Sequence, residues 1–289
     1  AKGKIEKVGK AADLKAAYPQ ENVKDYGNAT IMPGLFDMHI HLGYWFSQPD
    51  REKYQNDFLV AYYALQHAQS AFTRGITTVR DMSSPATLCH NLRLAQEKGF
   101  LTVPRIIHAD CGICMTGGHG SGDGIAEIDG PWNIRSEIRH QMRAGADWIK
   151  ILTSHRSDIP EFTQEELDAA VDECHRRRIK CAVHAGTQPA IEMCINAGFD
   201  TIEHGTFMTV EQAEKMAEKG LAWTPTITAY TYLYEVTKRN LEEGIDTSDN
   251  PIAEKEMRDY HYYEPAARSY RENFKKLADT GVTVLAGSD

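Results

Sequence analysis

Pro33-Gly34-Leu35-Phe36-Asp37-Met38-His39-Ile40-His41 is the stretch on which the fold turns. Side chains two apart on a strand project to the same side. If Leu35 to His41 is a short strand, His39 and His41 present two imidazoles to one face while Met38 and Ile40 pack on the other. That is half of a metal site. An isolated His-x-His is more often chance or a satisfied polar pair, so its meaning depends on whether further ligand-type side chains arrive at strand ends along the chain.

The runs that read as strands are Leu35 to His41, Thr77 to Asp81, Arg105 to Ala109, Trp148 to Leu152, Cys181 to His184, Thr201 to His204, Ala222 to Thr226 and Thr283 to Ala286. Each is apolar through most of its body, as parallel strands covered on both faces are. Helical patterns lie between them. Phe58, Tyr62, Leu65 and Phe72 recur at helical spacing, and Leu167, Ala170, Val171 and Cys174 do so behind Thr163 and Glu166, a capping-box pair. Thr209 with Gln212 repeats that signature before Ala213, Met216 and Ala217. Gly75, Gly145, Gly198, Gly220 and Gly281 each fall between a helical segment and a strand, where a left-handed helix end is wanted.

This alternation predicts a (β/α)8 TIM barrel of class α/β over residues 32–289, with the active site at the C-terminal ends of its strands. A doubly wound open sheet is the competitor, and the placement of polar residues separates the two. Residues 1–31 hold Ile5 and Val8 among lysines, then a polar stretch with Pro19 and Asn22, too little for a core of their own.

The fourth run, Trp148-Ile149-Lys150-Ile151-Leu152, places one lysine inside an apolar stretch, where a bare ammonium is costly to desolvate. A snorkelling side chain or a buried ion pair would explain it. So would a lysine kept neutral enough to react with CO2, giving a carbamate that serves as a bridging carboxylate. The fifth run ends in His184 and the sixth in His204, each followed closely by glycine, and the eighth leads to Asp289. Five strands thus deliver His39, His41, Lys150, His184, His204 and Asp289, imidazole and carboxylate ligands too numerous for one catalytic zinc with three protein ligands. Two divalent metals fit the count, with His39, His41 and Asp289 on one, His184 and His204 on the other, and modified Lys150 between them.

In this arrangement the sequence resembles the amidohydrolase superfamily from about Ile31 to its end. The motifs that carry the resemblance are Pro33 to His41, Gly145-Ala146-Asp147-Trp148-Ile149-Lys150, Val183-His184-Ala185, Ile202-Glu203-His204-Gly205 and Gly287-Ser288-Asp289. It is similar to the binuclear branch related to imidazolonepropionase, and in particular to members that act as Xaa-Pro dipeptidases (prolidases).

The resemblance implies two divalent ions, zinc foremost, with Lys150 carboxylated by CO2, and amide hydrolysis by a water activated between the metals. Asp289 and His204 then carry the catalytic step, and His119, in Gly117-Gly118-His119-Gly120, and Tyr230 hold the substrate's α-carboxylate. It also implies that residues 1–31 are part of a small β-sandwich domain. The chain stops at Asp289 just after the eighth strand, so it is expected to be a segment of a longer polypeptide. Thr153-Ser154-His155-Arg156-Ser157-Asp158 stands where many relatives carry a glycine-rich stretch, which leaves other substrates open: N-acyl amino acids, dipeptides with basic C-termini, or cyclic amides. A non-enzymatic metal-binding barrel is the further alternative.

Composition narrows the partners. The formal charge of -9 comes from 41 acids and 32 bases without long blocks of one sign, which argues against nucleic acid and anionic membranes. No run approaches the roughly 18 apolar residues of a membrane span. The expected partner is a small-molecule or dipeptide substrate, with a homo-oligomer left open. The six cysteines, Cys111 and Cys114 of a C-x-x-C among them, read as buried thiols of a reducing, cytoplasmic protein. His67, His90, His140, His155, His175 and His261 read as solvent-exposed, and His108 as core or as support for the site.

Overall fold

In the computed structural model the apolar runs form strands and the capped segments form helices; it describes residues 4–44, 57–121, 125–154, 158–244 and 251–289, the side chains of 251–259 excepted. The order begins α1 (Ala11–Ala17), β1 (Leu35–Ile40), α2 (Asp57–Thr73), β2 (Ile76–Asp81), α3 (Leu88–Glu97), β3 (Arg105–His108), β4 (Ile113–Cys114), β5 (Ala126–Glu127) and α4 (Pro131–Ala144). It continues β6 (Trp148–Leu152), α5 (Gln164–Arg176), β7 (Lys180–Ala185), α6 (Gln188–Ala197), β8 (Thr201–His204), α7 (Val210–Lys219), β9 (Ala222–Thr224), α8 (Ile227–Glu243), α9 (Pro251–Ala278) and β10 (Thr283–Val284).

The strands pair in parallel as β1-β2-β3 and as β10-β9-β8-β7-β6-β4-β5. Two seams join these sheets. Met38 N donates to Ala286 O at 2.8 Å, beside β10, and Asp147 N donates to His108 O at 2.8 Å, tying β3 to the start of β6. The eight runs read from the sequence therefore close in the order β1-β2-β3-β6-β7-β8-β9-β10, and the fold is a (β/α)8 barrel, not an open sheet. The two-residue strands β4 and β5 lie in the loop after β3 and were not legible as runs.

Register fixes what points inward. Lys150 pairs with Ala182 and Ala182 with Thr201, while His184 pairs with Glu203 and Glu203 with Thr224. Paired positions on neighbouring strands face the same way, so these rows share the barrel interior. The main core lies outside that ring, where Ile149, Ile151, Val183, Ile202 and Trp223 meet Ile191, Ile195 and Phe199 of the helical layer.

Both capping boxes form, Thr163 with Glu166 on α5 and Thr209 with Gln212 on α7. Gly145, Gly198 and Gly220 end their helices at φ of 101°, 87° and 71°, a conformation that costs other residues a clash at Cβ. On α2 the aromatic spacing does not mark the packed face. Ala64, Ala68 and Ala71 are buried instead, and Phe58 and Tyr62 turn outward. Small side chains let this helix lie close to the strands.

The chain divides into units 1–33 and 34–289. Among the described residues of the first unit the only regular element is α1, with no strand of the anticipated small sandwich and with Ile5, Val8, Val23 and Ile31 exposed. A strand needs a partner for its backbone hydrogen bonds, and the described residues of this unit contain none. No helix of the described residues is long and apolar enough to cross a membrane. All six cysteines are buried free thiols.

At the N-terminal end of the strands, Asp200 Oδ2 accepts from Cys181 N at 2.9 Å and lies 3.0 Å from His175 Nε2, tying the end of α5 to β7 and β8. The Cys181 and Asp200 side chains raise the His175 pKa to about 9 against the opposing effect of partial burial. A pKa raised on folding gives stability that is present below the unfolded value, about 6.5, and is lost as pH rises through the folded value. The urea midpoint should therefore fall modestly from pH 6.5 to above 9, and His175→Ala should flatten that slope. Identical pH profiles in the two proteins would contradict the latch.

Candidate metal centre

His39 lies near the end of β1 and His41 one residue beyond that strand. His39 Nδ1 is 2.6 Å from Glu203 Oε2, and His41 Nδ1 is 2.7 Å from the Ser83 carbonyl. Both partners are acceptors, so each ring donates from Nδ1 and turns Nε2 into the barrel mouth. The two Nε2 atoms are 3.3 Å apart, and Asp289 Oδ1 lies 3.3 Å from one and 3.1 Å from the other. Electronegative atoms this close need a proton or a cation among them. Two imidazoles and a carboxylate are a donor set that zinc-like divalent ions take.

Asp289 is held in place by β1 itself. Its backbone N donates to His39 O at 2.8 Å, and the preceding Ser288 donates through N and Oγ to the two carboxylate oxygens of Asp37, at 3.1 and 2.6 Å. Burial alone would raise the Asp289 pKa, but His39, first among its neighbours, holds it well below the usual carboxylate range.

The remaining three residues converge on the same end. The His204 ring centroid is 4.3 Å from that of His184 and 4.9 Å from that of His39, and Lys150 Nζ is 3.5 Å from His39 Nε2. Burial lowers the Lys150 pKa to about 8, so its amine is partly neutral near physiological pH. Burial likewise pushes the His204 imidazole well below its usual range, which keeps it an unprotonated donor.

The register does not place His204 opposite His184, as its position at a strand end suggests. Glu203 holds that place. His204 reaches the interior because its backbone adopts φ 67°, a left-handed conformation costing a non-glycine residue about 1–3 kcal/mol. Its Nδ1 meets Thr226 Oγ1 at 2.7 Å. Strict alternation is broken, and adjacent residues both serve the centre.

Beneath the ligands is a charged network that the ligand motifs do not announce. Arg80 and Glu203 are fully buried. Arg80 donates to Glu203 Oε1 at 2.8 Å, to Met38 O at 2.5 Å and to Thr201 and Thr224 hydroxyls, both at 3.3 Å. Thr201 Oγ1 also donates to Glu203. Burial would raise the Glu203 pKa, but Arg80 and His39 carry it far below the carboxylate range, so it stays an anion that fixes the His39 ring. The signal was available: Arg80 and Glu203, like Lys150, are charges inside apolar runs.

His119 and Tyr230 join the centre. The His119 ring stacks on His184 with centroids 4.1 Å apart and 27° between planes, and Tyr230, buried in α8, meets His204 edge-on at 5.6 Å. His108 does not join; it turns toward His90 of α3, ring to ring at 6.3 Å. His140, His175 and His261 are exposed as expected, but His67 and His90 are half-buried, and His155 lies outside the described residues. His67 Nδ1 is 3.1 Å from the Leu42 carbonyl, which supports the turn after His41.

Comparison with known proteins gives the family and the fold. The model of the Amidohydrolase family matches residues 30–289. A solved Xaa-Pro dipeptidase with bound methionine is 32% identical and superposes with a TM-score of 0.76, over 89% of this chain and 66% of that one. A prolidase complexed with N-methylphosphonate-L-proline is 27% identical with a TM-score of 0.75, over 93% of this chain and 70% of that one. The ochratoxinase of Aspergillus niger is 24% identical over 322 residues, 98% of this chain but only 62% of the fungal protein's length.

The Glu203 contact should be felt in metal affinity, since carboxylates that orient ligating histidines are worth about 10- to 100-fold. Glu203→Gln is expected to weaken binding at the His39 side by that factor, measured by competition with a chelator on protein that still shows a cooperative unfolding transition. Unchanged affinity would show that Glu203 does not orient His39.

Proposed function

The chain belongs to the amidohydrolase family, and from that premise we propose that it is a two-metal hydrolase cleaving the amide bond of Xaa-Pro dipeptides. The observation that carries the proposal is the meeting of His39, His41, Lys150, His184, His204 and Asp289 at the C-terminal ends of five barrel strands, with His119 and Tyr230 beside them. His39, His41 and Asp289 would hold one divalent ion, His184 and His204 the other, and Lys150, carboxylated on Nζ by CO2, would bridge them. Zinc suits these donors best. When bound, such ions lower the pKa of a water and polarise a carbonyl.

The chain's own groups do the rest. Asp289, with 22% of its side chain exposed, is an anion that can take a proton and pass it on. An amide nitrogen leaves poorly until protonated, and a prolyl nitrogen, with no hydrogen of its own, depends on such delivery. His204, kept unprotonated by burial, would offer a lone pair to hold the second ion on the side of the scissile carbonyl. His119, flat on His184, and Tyr230, against His204, would grip the substrate's carboxylate on either side of the reacting bond. The six buried thiols suit a cytoplasmic enzyme.

Two solved relatives bear the names Xaa-Pro dipeptidase and prolidase, and they support this substrate class. The similarity over nearly the whole chain to ochratoxinase, a relative not named for dipeptides, supports a second reading, an amidohydrolase with another substrate, for which the candidates are the N-acyl amino acids, basic C-terminal dipeptides and cyclic amides weighed above. A panel of Xaa-Pro, Xaa-Arg and N-acyl substrates separates them: kcat/KM highest on Xaa-Pro is expected, and a preference for N-acyl substrates would favour the second. Asp289→Asn should lower kcat by about 10^2- to 10^4-fold with metal content largely kept. Turnover near that of the wild type would remove Asp289 from the proton transfer.

A further inference from the structure

Between β6 and α5, Ser154 and residues 158–163 are described. Ser154, fully buried just past β6, accepts from Gly186 N through its carbonyl at 3.1 Å. Its hydroxyl donates to Ile159 O at 3.0 Å and accepts from Glu161 N at 2.7 Å. Glu161 is thereby pinned to the end of the strand that carries Lys150. Its Oε2 accepts the backbone N–H of His119 at 3.0 Å.

The His119 loop is gripped by carboxylates from two sides. Asp129 takes Thr116 N at 3.0 Å, and Glu127 takes Gly117 N at 3.1 Å and the Ser121 hydroxyl at 2.8 Å. These contacts are exposed and hold the outer side of the turn. Glu161 is partly buried, binds the amide of His119 itself, and lies so close to Gly118 that a Cβ there would stand 3.0 Å from its Oε2. A loop is rigid where its amides are taken, and this amide belongs to the residue whose ring stacks on His184.

We propose that Glu161 is a positioning residue of the active site: by binding the His119 amide it holds the imidazole flat on His184 and so sets the affinity for the substrate's carboxylate. The proposal rests on the substrate-binding role given to His119 above.

The test uses the full chain, metal-loaded, with Glu161→Ala, which removes the acceptor, and Glu161→Gln, whose amide oxygen keeps it. Glu161→Ala should raise KM for an Xaa-Pro dipeptide about 10-fold with kcat within about 3-fold, and Glu161→Gln should restore most of the loss. With the matching Xaa-prolinamide, which has no carboxylate, Glu161→Ala should have no effect. In crystal structures the His119 ring should leave His184 in the alanine variant and stay in the glutamine variant. A ring still stacked in Glu161→Ala, an unchanged KM, or a parallel loss of kcat and metal would overturn the proposal. If the wild type cleaves no Xaa-Pro dipeptide, the substrate assignment fails, and the place of the ring in the two variants decides the positioning claim by itself.

Discussion

One buried contact organises this molecule: the Glu203 carboxylate between the Arg80 guanidinium and the His39 imidazole, all three without solvent exposure. An anion at that depth persists only if its charge is met and its lone pairs are taken. Arg80 meets the charge, Thr201 and His39 take the lone pairs, and the orientation of the His39 ring follows. With Nδ1 spoken for, Nε2 has one direction left, toward His41, Asp289 and Lys150. The buried charges thus set which nitrogen the first strand turns to the barrel mouth. Losing one partner would leave the other charge buried, a cost of about 3–5 kcal/mol.

The two ends of the barrel are built for different ends. At the N-terminal face, Asp200, His175 and Cys181 stitch helix to strand. At the C-terminal face the structure accepts strain and charge: a left-handed His204, a lysine with its pKa near 8, and carboxylates aimed at loop amides. This division is usual for (β/α)8 enzymes, where loops carry chemistry and the strands' other ends carry stability.

Much of this was legible beforehand. Parallel strands are apolar on both faces, so eight apolar runs could be recognised, and a ligand at a strand's end stands out against them. The capping boxes were equally plain, because Thr163 with Glu166 and Thr209 with Gln212 satisfy donors within one turn of chain. Less local features escaped. The buried face of α2 is made by alanines, whose packing depends on how close the strands lie and not on hydrophobic spacing. Alternation assigns adjacent residues to opposite faces, so a ligand-type His204 gives no hint of an inward Glu203; φ 67° at His204 cancels that rule. Arg80 was passed over although it breaks an apolar run just as Lys150 does. A charge inside such a run deserves a partner search wherever it occurs.

The central claim is that the six residues at the barrel mouth form one two-metal centre bridged by a modified lysine. Anomalous diffraction from crystals of the zinc-loaded protein, recorded on both sides of the metal's absorption edge, addresses it directly. The account predicts two anomalous peaks, one among His39, His41 and Asp289 and one between His184 and His204, with carboxylate density continuous with Lys150 Nζ between them. A single peak, or a bare lysine amine beside two peaks, would contradict it.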